Sequence, residues 1–225
     1  VINLPPRGSY NLHASLLPKY RGAAPIQYAV WKGEQETGVT IFKIEPRLDA
    51  GVILATVKTD IEPQETAGAL EVRLSELVVP TTLQFLEDLE HHRLQGTLQD
   101  KSLVTKAPKL KKEFGAIDWT RTIHEIDCQV RAMQPWPQPY AYLHVIGKPP
   151  LRVLILSITG SSQAGNEGAG QVVISDGKSL GVRCGDGVCL IETIQPVGKR
   201  AMPIADFLRG NPVPVGSRLK STEQG

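Results

Sequence analysis

The spacing of hydrophobic residues along the chain changes period several times, and each change marks an element. Residues 9–13 read as the end of a short strand, and 15–22 as a loop rich in Pro and Gly. A helix follows over 23–32 and is closed by Gly33. The β-branched run 38–44 reads as a strand and 52–61 as another, and the short link 45–51 predicts an antiparallel pair. Thr66 suits the N-cap of a helix in which Leu70, Leu74, Leu77 and Val78 keep helical spacing. Leu83, Leu86 and Leu89 extend the stripe, so Pro80 is expected to kink this helix, not to end it. Strand, helix, strand pair and helix together read as an α/β domain.

Periodicity then lapses over 96–115, which reads as a linker, and resumes over 120–133 as an amphipathic helix with Ile123, Ile126, Val130 and Met133 on one side. Beyond it lie five short β-rich runs, 140–146, 151–158, 171–174, 180–184 and 188–194, separated by Gly- and Asp-containing turns. Strands of this length and spacing suggest a small barrel of the kind that often binds oligonucleotides.

Composition narrows the picture. The chain has 225 residues, 41% hydrophobic and 21% charged, which is ordinary for a globular protein. No apolar run approaches the roughly 18 residues of a membrane span, and no export signal opens the chain. Cys128, Cys184 and Cys189 cannot all pair with one another and form no Cys-x-x-Cys, so each is expected to be a buried thiol in a reducing cytoplasm. The net charge of +2 conceals an asymmetry: residues 1–100 hold 9 Lys/Arg against 13 Asp/Glu, and residues 101–225 hold 16 against 10. The second half is therefore the one suited to an anionic partner. Lys101, Lys106, Lys109, Lys111 and Lys112 make the linker itself a basic strip. The chain opens on Val1 and passes almost at once into a polar turn, which reads as a truncated domain.

Candidate chemistry concentrates in Asn11-Leu12-His13-Ala14-Ser15-Leu16-Leu17-Pro18. Asn11 and His13 stand two apart, so on a strand they share a face at the mouth of a loop, where α/β proteins commonly build active sites. Asp49 falls in the tight connection between two strands, where a carboxylate would orient an imidazole or cap its own turn. The adjacent His91-His92 pair projects in different directions from an acidic helix and reads as solvated surface. Trp31, Trp119 and Trp136 are too scattered to form a stacking platform.

The Asn11–Pro18 string, followed by Lys19-Tyr20-Arg21-Gly22-Ala23-Ala24-Pro25-Ile26-Gln27 and the later Asp49-Ala50-Gly51, resembles the active-site segment of 10-formyltetrahydrofolate-dependent formyltransferases. Within that family, Arg21–Gln27 resembles the methionyl-tRNA formyltransferases more than the purine-pathway or sugar-modifying members. Lys106-Ala107-Pro108-Lys109-Leu110, Pro135-Trp136-Pro137 and Gly198-Lys199-Arg200-Ala201-Met202 resemble their linker and C-terminal domain.

The resemblance implies the C-terminal part of a Rossmann-like formyltransferase domain over 1–95, a basic linker over 96–115, and an OB-like, tRNA-binding barrel over 116–225. It implies Asn11, His13 and Asp49 as catalytic residues and Ser15, Leu16, Leu17 and Pro18 as the loop that contacts the folate. It also implies Lys109, Lys111, Lys112, Lys199 and Arg200 as tRNA contacts. The expected reaction moves the formyl group of 10-formyltetrahydrofolate to methionyl-initiator tRNA, with no metal, no membrane and, by default, a monomer. A fragment lacking the family's N-terminal strands need not be active alone and would expose a sheet edge. The competing readings are a formyltransferase for sugar nucleotides, a formyltetrahydrofolate dehydrogenase-type hydrolase, and a tRNA-binding fragment without chemistry.

Overall fold

The computed structural model describes residue 2 and residues 4–224. The chain divides into two compact units, Val1–Leu110 and Lys111–Gly225.

In the first unit the elements run β1 (Tyr10–His13), β2 (Arg21–Gly22), α1 (Pro25–Trp31), β3 (Glu36–Lys43), β4 (Ile53–Asp60), α2 (Ala67–Glu90) and β5 (Lys106–Ala107). β1, β3 and β4 form one antiparallel sheet in that order, with β3 between the other two. β3 is buried along most of its length, as its run of β-branched residues requires of a central strand. Pro25 begins α1, where its fixed φ is already helical and its missing N–H is not needed.

Thr66 caps α2 by accepting a hydrogen bond from the Ala69 N–H at 3.2 Å, and the helix runs through Pro80 for 24 residues. Its core stripe is Leu70, Leu74, Val78 and Phe85. The expected continuation through Leu83 and Leu86 is corrected here, since these side chains are 63% and 51% exposed. Leu83 lies five residues beyond Val78, about 140° around the helix, and so points away from the sheet. Phe85 takes its place, packing edge-on against Tyr10 at 5.0 Å.

The units divide after Leu110, within the 96–115 stretch, and residues 97–110 are built into the first unit. Thr97 and Ile53 exchange backbone hydrogen bonds of 2.9 and 2.8 Å, and β5 pairs in parallel with β2. Ala107 and Leu110 are buried. Most of the other side chains of this stretch are exposed, Lys101, Lys106 and Lys109 among them.

The second unit holds α3 (Ile123–Ala132), β6 (Tyr140–His144), β7 (Leu151–Ser161), β8 (Val172–Ser175), β9 (Leu180–Arg183), β10 (Val188–Pro196), β11 (Met202–Pro203), α4 (Ile204–Gly210) and β12 (Arg218–Lys220). The strand order is β12-β6-β7-β10-β9-β8. Hydrogen bonds from Val172 N–H to the Ser217 carbonyl and from Leu219 N–H to the Gly170 carbonyl, 2.8 and 2.7 Å, join the two ends into a nearly closed barrel. The five expected strands are present, and β11, β12 and α4 complete them. Val153, Ile155, Val182, Ile194 and Phe207 fill the interior, and Ile126 and Val130 of α3 join the same core. Trp119 is also in this core, whereas Trp136 is half exposed.

α3 opens on a full capping box. Thr122 Oγ1 accepts from the Glu125 N–H, and Glu125 returns a carboxylate oxygen to the Thr122 N–H at 3.0 Å. Thr122→Ala should lower the stability of this unit by roughly 1 kcal/mol, read as a shift of its urea midpoint. The three cysteines are free and buried. No helix among the described residues is long and apolar enough to cross a membrane.

Candidate active site

The site forms where β1 ends. Asn11 and His13 lie on one face of the strand, opposite Phe42 and Thr40 of β3. Asn11 is exposed, whereas His13 is only 5% exposed and presents its ring to the Phe42 ring at 6.2 Å.

The segment that follows is folded back by Thr40. Its hydroxyl donates to the Ser15 carbonyl at 2.7 Å and accepts from the Leu17 N–H at 3.1 Å. The Ser15 hydroxyl in turn donates to the Lys19 carbonyl at 2.7 Å. These bonds bring the Tyr20 carbonyl to 2.9 Å from His13 Nε2. A carbonyl only accepts, so Nε2 carries the proton and Nδ1 is the ring nitrogen left for chemistry. Tyr20 reaches this pose with φ of 60°, an uncommon backbone state for a side chain of its size. Its hydroxyl donates to Glu34 at 2.7 Å. Burial, with Glu34 beside it, raises the Tyr20 phenol well above its ordinary value, so it remains a proton donor.

Asp49 arrives from the β3–β4 connection, also with positive φ, 46°. Its Oδ2 lies 3.9 Å from His13 Nδ1, and the two side chains are 12% and 6% exposed. That separation is too long for a hydrogen bond, and a protonated ring would sit there as the carboxylate's charge partner. The same oxygen accepts the Gly22 N–H at 2.8 Å. Gly22 lies at φ of 131°, and a Cβ added to it would stand 2.3 Å from the Ala107 carbonyl oxygen. Gly51 is similarly confined, with the Lys43 carbonyl oxygen 1.7 Å from where a Cβ would be. Both ends of the Asp49 support therefore demand glycine.

Of the candidate folate loop, Ser15 and Leu17 are buried and brace the segment from within. Leu16 and Pro18 line a cavity of about 270 Å³ together with Tyr20, Glu34 and Lys58. Lys109, Lys111, Lys112, Lys199 and Arg200 are all exposed, the last two in the turn between β10 and β11. Sequence reasoning missed the Tyr20 carbonyl, the Gly22 N–H, Thr40 and Gln99. The first two are backbone groups and carry no residue signal. Gln99 lies within the stretch read as linker, and only its contacts with the Asp49 turn single it out.

Two family models match the chain, formyl transferase over residues 1–83 and formyl transferase, C-terminal domain, over 109–212. The methionyl-tRNA formyltransferase of Rhodopirellula baltica is 46% identical over 222 residues, covering 94% of this chain and 65% of that protein. That of Moorella thermoacetica is 39% identical, with 97% and 69% covered. The chain thus spans about two thirds of the length of the curated relatives it matches. Among solved structures, HypX from Aquifex aeolicus in complex with tetrahydrofolic acid superposes with a TM-score of 0.63 at 21% identity, covering 91% of this chain and 36% of that one. WlaRD, a sugar 3N-formyl transferase, gives 0.64 at 21% identity, covering 85% and 66%. At such identity these two speak for the fold alone. The two family models and the curated relatives together settle the assignment: the chain belongs to the formyl transferase family, among the methionyl-tRNA formyltransferases.

Proposed function

We propose that this chain carries the reaction centre of an enzyme that moves the formyl group of 10-formyltetrahydrofolate onto the amino group of methionyl-initiator tRNA, for initiation of translation. The observation that carries this reading is the disposition of His13, with Nε2 committed to a carbonyl and Nδ1 turned toward the Asp49 carboxylate.

The transfer needs three things from the protein. The attacking amine must be neutral, the formyl oxygen must be stabilised as it gains negative charge, and one proton must travel from the amine to N10 of the folate as the C–N10 bond breaks. Asn11, exposed at the strand end, offers an amide N–H to the oxygen. His13 offers Nδ1–H when its ring is protonated. Each such donor contributes about 3 kcal/mol to the transition state. Asp49, its Oδ2 held by Gly22, balances the imidazolium charge and relays the proton, directly or through one water. Nothing in this sequence of steps calls for a covalent enzyme intermediate or a metal.

Leu16 and Pro18 supply the accessible surface of the folate-contacting loop, and Ser15 and Leu17 hold its shape. Lys109, Lys111, Lys112, Lys199 and Arg200, all exposed, contact tRNA phosphates. Replacing Lys111 and Lys112 together by Gln should reduce the slope of log binding constant against log salt by about 2, measured by filter binding of tRNA. An unchanged slope would release both from this role. The protein would act in the cytoplasm as a monomer.

The test is to supply the chain with methionyl-initiator tRNA and 10-formyltetrahydrofolate and recover the amino acid after mild base treatment. N-formylmethionine is the expected product. Release of free formate without it, or formylation of an amino-sugar nucleotide in its place, would overturn the assignment of substrate.

A further inference from the structure

Asp49 sits on a backbone state that few non-glycine residues adopt, φ of 46°, so something outside its own turn must hold it there. Gln99 meets that need. Its side-chain NH₂ donates to the Asp49 carbonyl at 2.9 Å and to the Gly51 carbonyl at 2.7 Å, grasping the turn on both sides of Ala50. Its carbonyl oxygen accepts from Arg21 Nε at 3.1 Å and from Arg21 Nη2 at 2.7 Å. Arg21 immediately precedes Gly22, whose N–H is bonded to the Asp49 carboxylate.

A closed ring results: Asp49 carboxylate, Gly22 backbone, Arg21 guanidinium, Gln99 amide, Asp49 backbone. The amide is fully used, with two donors on two carbonyls and one acceptor on a forked guanidinium. Thr97, two residues earlier, is anchored to β4 at Ile53, so Gln99 is presented from a fixed strand edge.

We infer that Gln99 is a positioning residue for the reaction: with Arg21 it forms a latch that holds the Asp49 carboxylate against the Gly22 N–H and in line with His13. It touches neither the imidazole nor any reacting atom and acts only through Asp49. The inference rests on the formyl-transfer reading for its kinetic consequence but not for its structural one. The latch does not depend on which substrate the site takes.

Gln99→Met keeps the length of the side chain and removes all four bonds. Amide hydrogen exchange in the whole chain reads the latch without any substrate. In Gln99→Met the Gly22 N–H should exchange at least tenfold faster than in the parent protein, with the central amides of β3 unchanged. Equal acceleration of both would mean general loosening, and no acceleration at Gly22 would mean that the carboxylate stays in place unaided. Either result overturns the inference.

Kinetics supply a second reading. Gln99→Met should lower kcat for formyl transfer about tenfold to a hundredfold, as small misplacements of catalytic groups do, with KM for the folate changed less than threefold. In an Asp49→Asn background the same substitution should cost less than twofold, because the group it positions is already gone. Full loss in that background would mean Gln99 acts by another route. Should the parent chain transfer no formyl group, the exchange measurement still decides the latch.

Discussion

His13→Ala should lower kcat/KM for formyl transfer by about 10²–10³, with the fold retained. The magnitude follows from losing one donor to the developing oxyanion, worth about 3 kcal/mol, together with the proton path to Asp49. The fold should survive because the ring is held by one hydrogen bond to the Tyr20 carbonyl and one edge contact to Phe42, while β1 keeps its ladder with β3. His13→Gln separates orientation from chemistry, since a Gln amide still donates toward Tyr20 but cannot exchange a proton. It should be nearly as slow as His13→Ala, with a thermal midpoint closer to that of the parent. A His13→Gln enzyme within a few fold of the parent would reduce the imidazole to a spacer.

Gly22→Ala should be the most damaging single change to the site's framework, destabilising the first unit by roughly 2–4 kcal/mol through the strained φ and the contact with β5. The added Cβ would meet backbone on the far side, with the Ala107 carbonyl oxygen at 2.3 Å and its carbon at 2.9 Å, so no side-chain rotation relieves it. Either β2 separates from β5 or the Gly22 peptide turns. In both cases its N–H leaves the Asp49 carboxylate, so the loss of transfer should exceed tenfold even under conditions where the variant is folded. Urea unfolding and the transfer assay on one preparation check both parts. A variant with parental stability would mean that β2 and β5 part without cost.

The strand pair, the capped helix over Thr66, the α3 stripe and the five barrel strands were all legible, because each depends on local period and on caps whose partners lie within four residues. The end of α2 was less so. Pro80 is internal to the helix, as the stripe on both sides of it implies, but hydrophobicity alone places Leu83 and Leu86 in the core, and their angular position sends them outward. Asn11, His13 and Asp49 could be nominated from residue type and motif. The convergence of His13 on Asp49 depends on the β1–β3–β4 register, which spacing alone does not fix. Least visible are the groups that do the holding: a carbonyl at Tyr20, an amide N–H at Gly22, a threonine beneath the loop and a glutamine 50 residues from Asp49, whose backbone carbonyl it grips. Backbone groups have no sequence signature, and Gln99 announces nothing without the turn it binds.

In the proposed mechanism His13 and Asp49 act as one proton-handling unit on a formyl group. Its most direct test is kcat/KM for formyl transfer to methionyl-initiator tRNA in His13→Ala, Asp49→Asn and the double variant. If the two act together, the double variant should be no slower than the slower single within about threefold. Losses that multiply would mean that the imidazole and the carboxylate work independently, contradicting the mechanism drawn from their geometry.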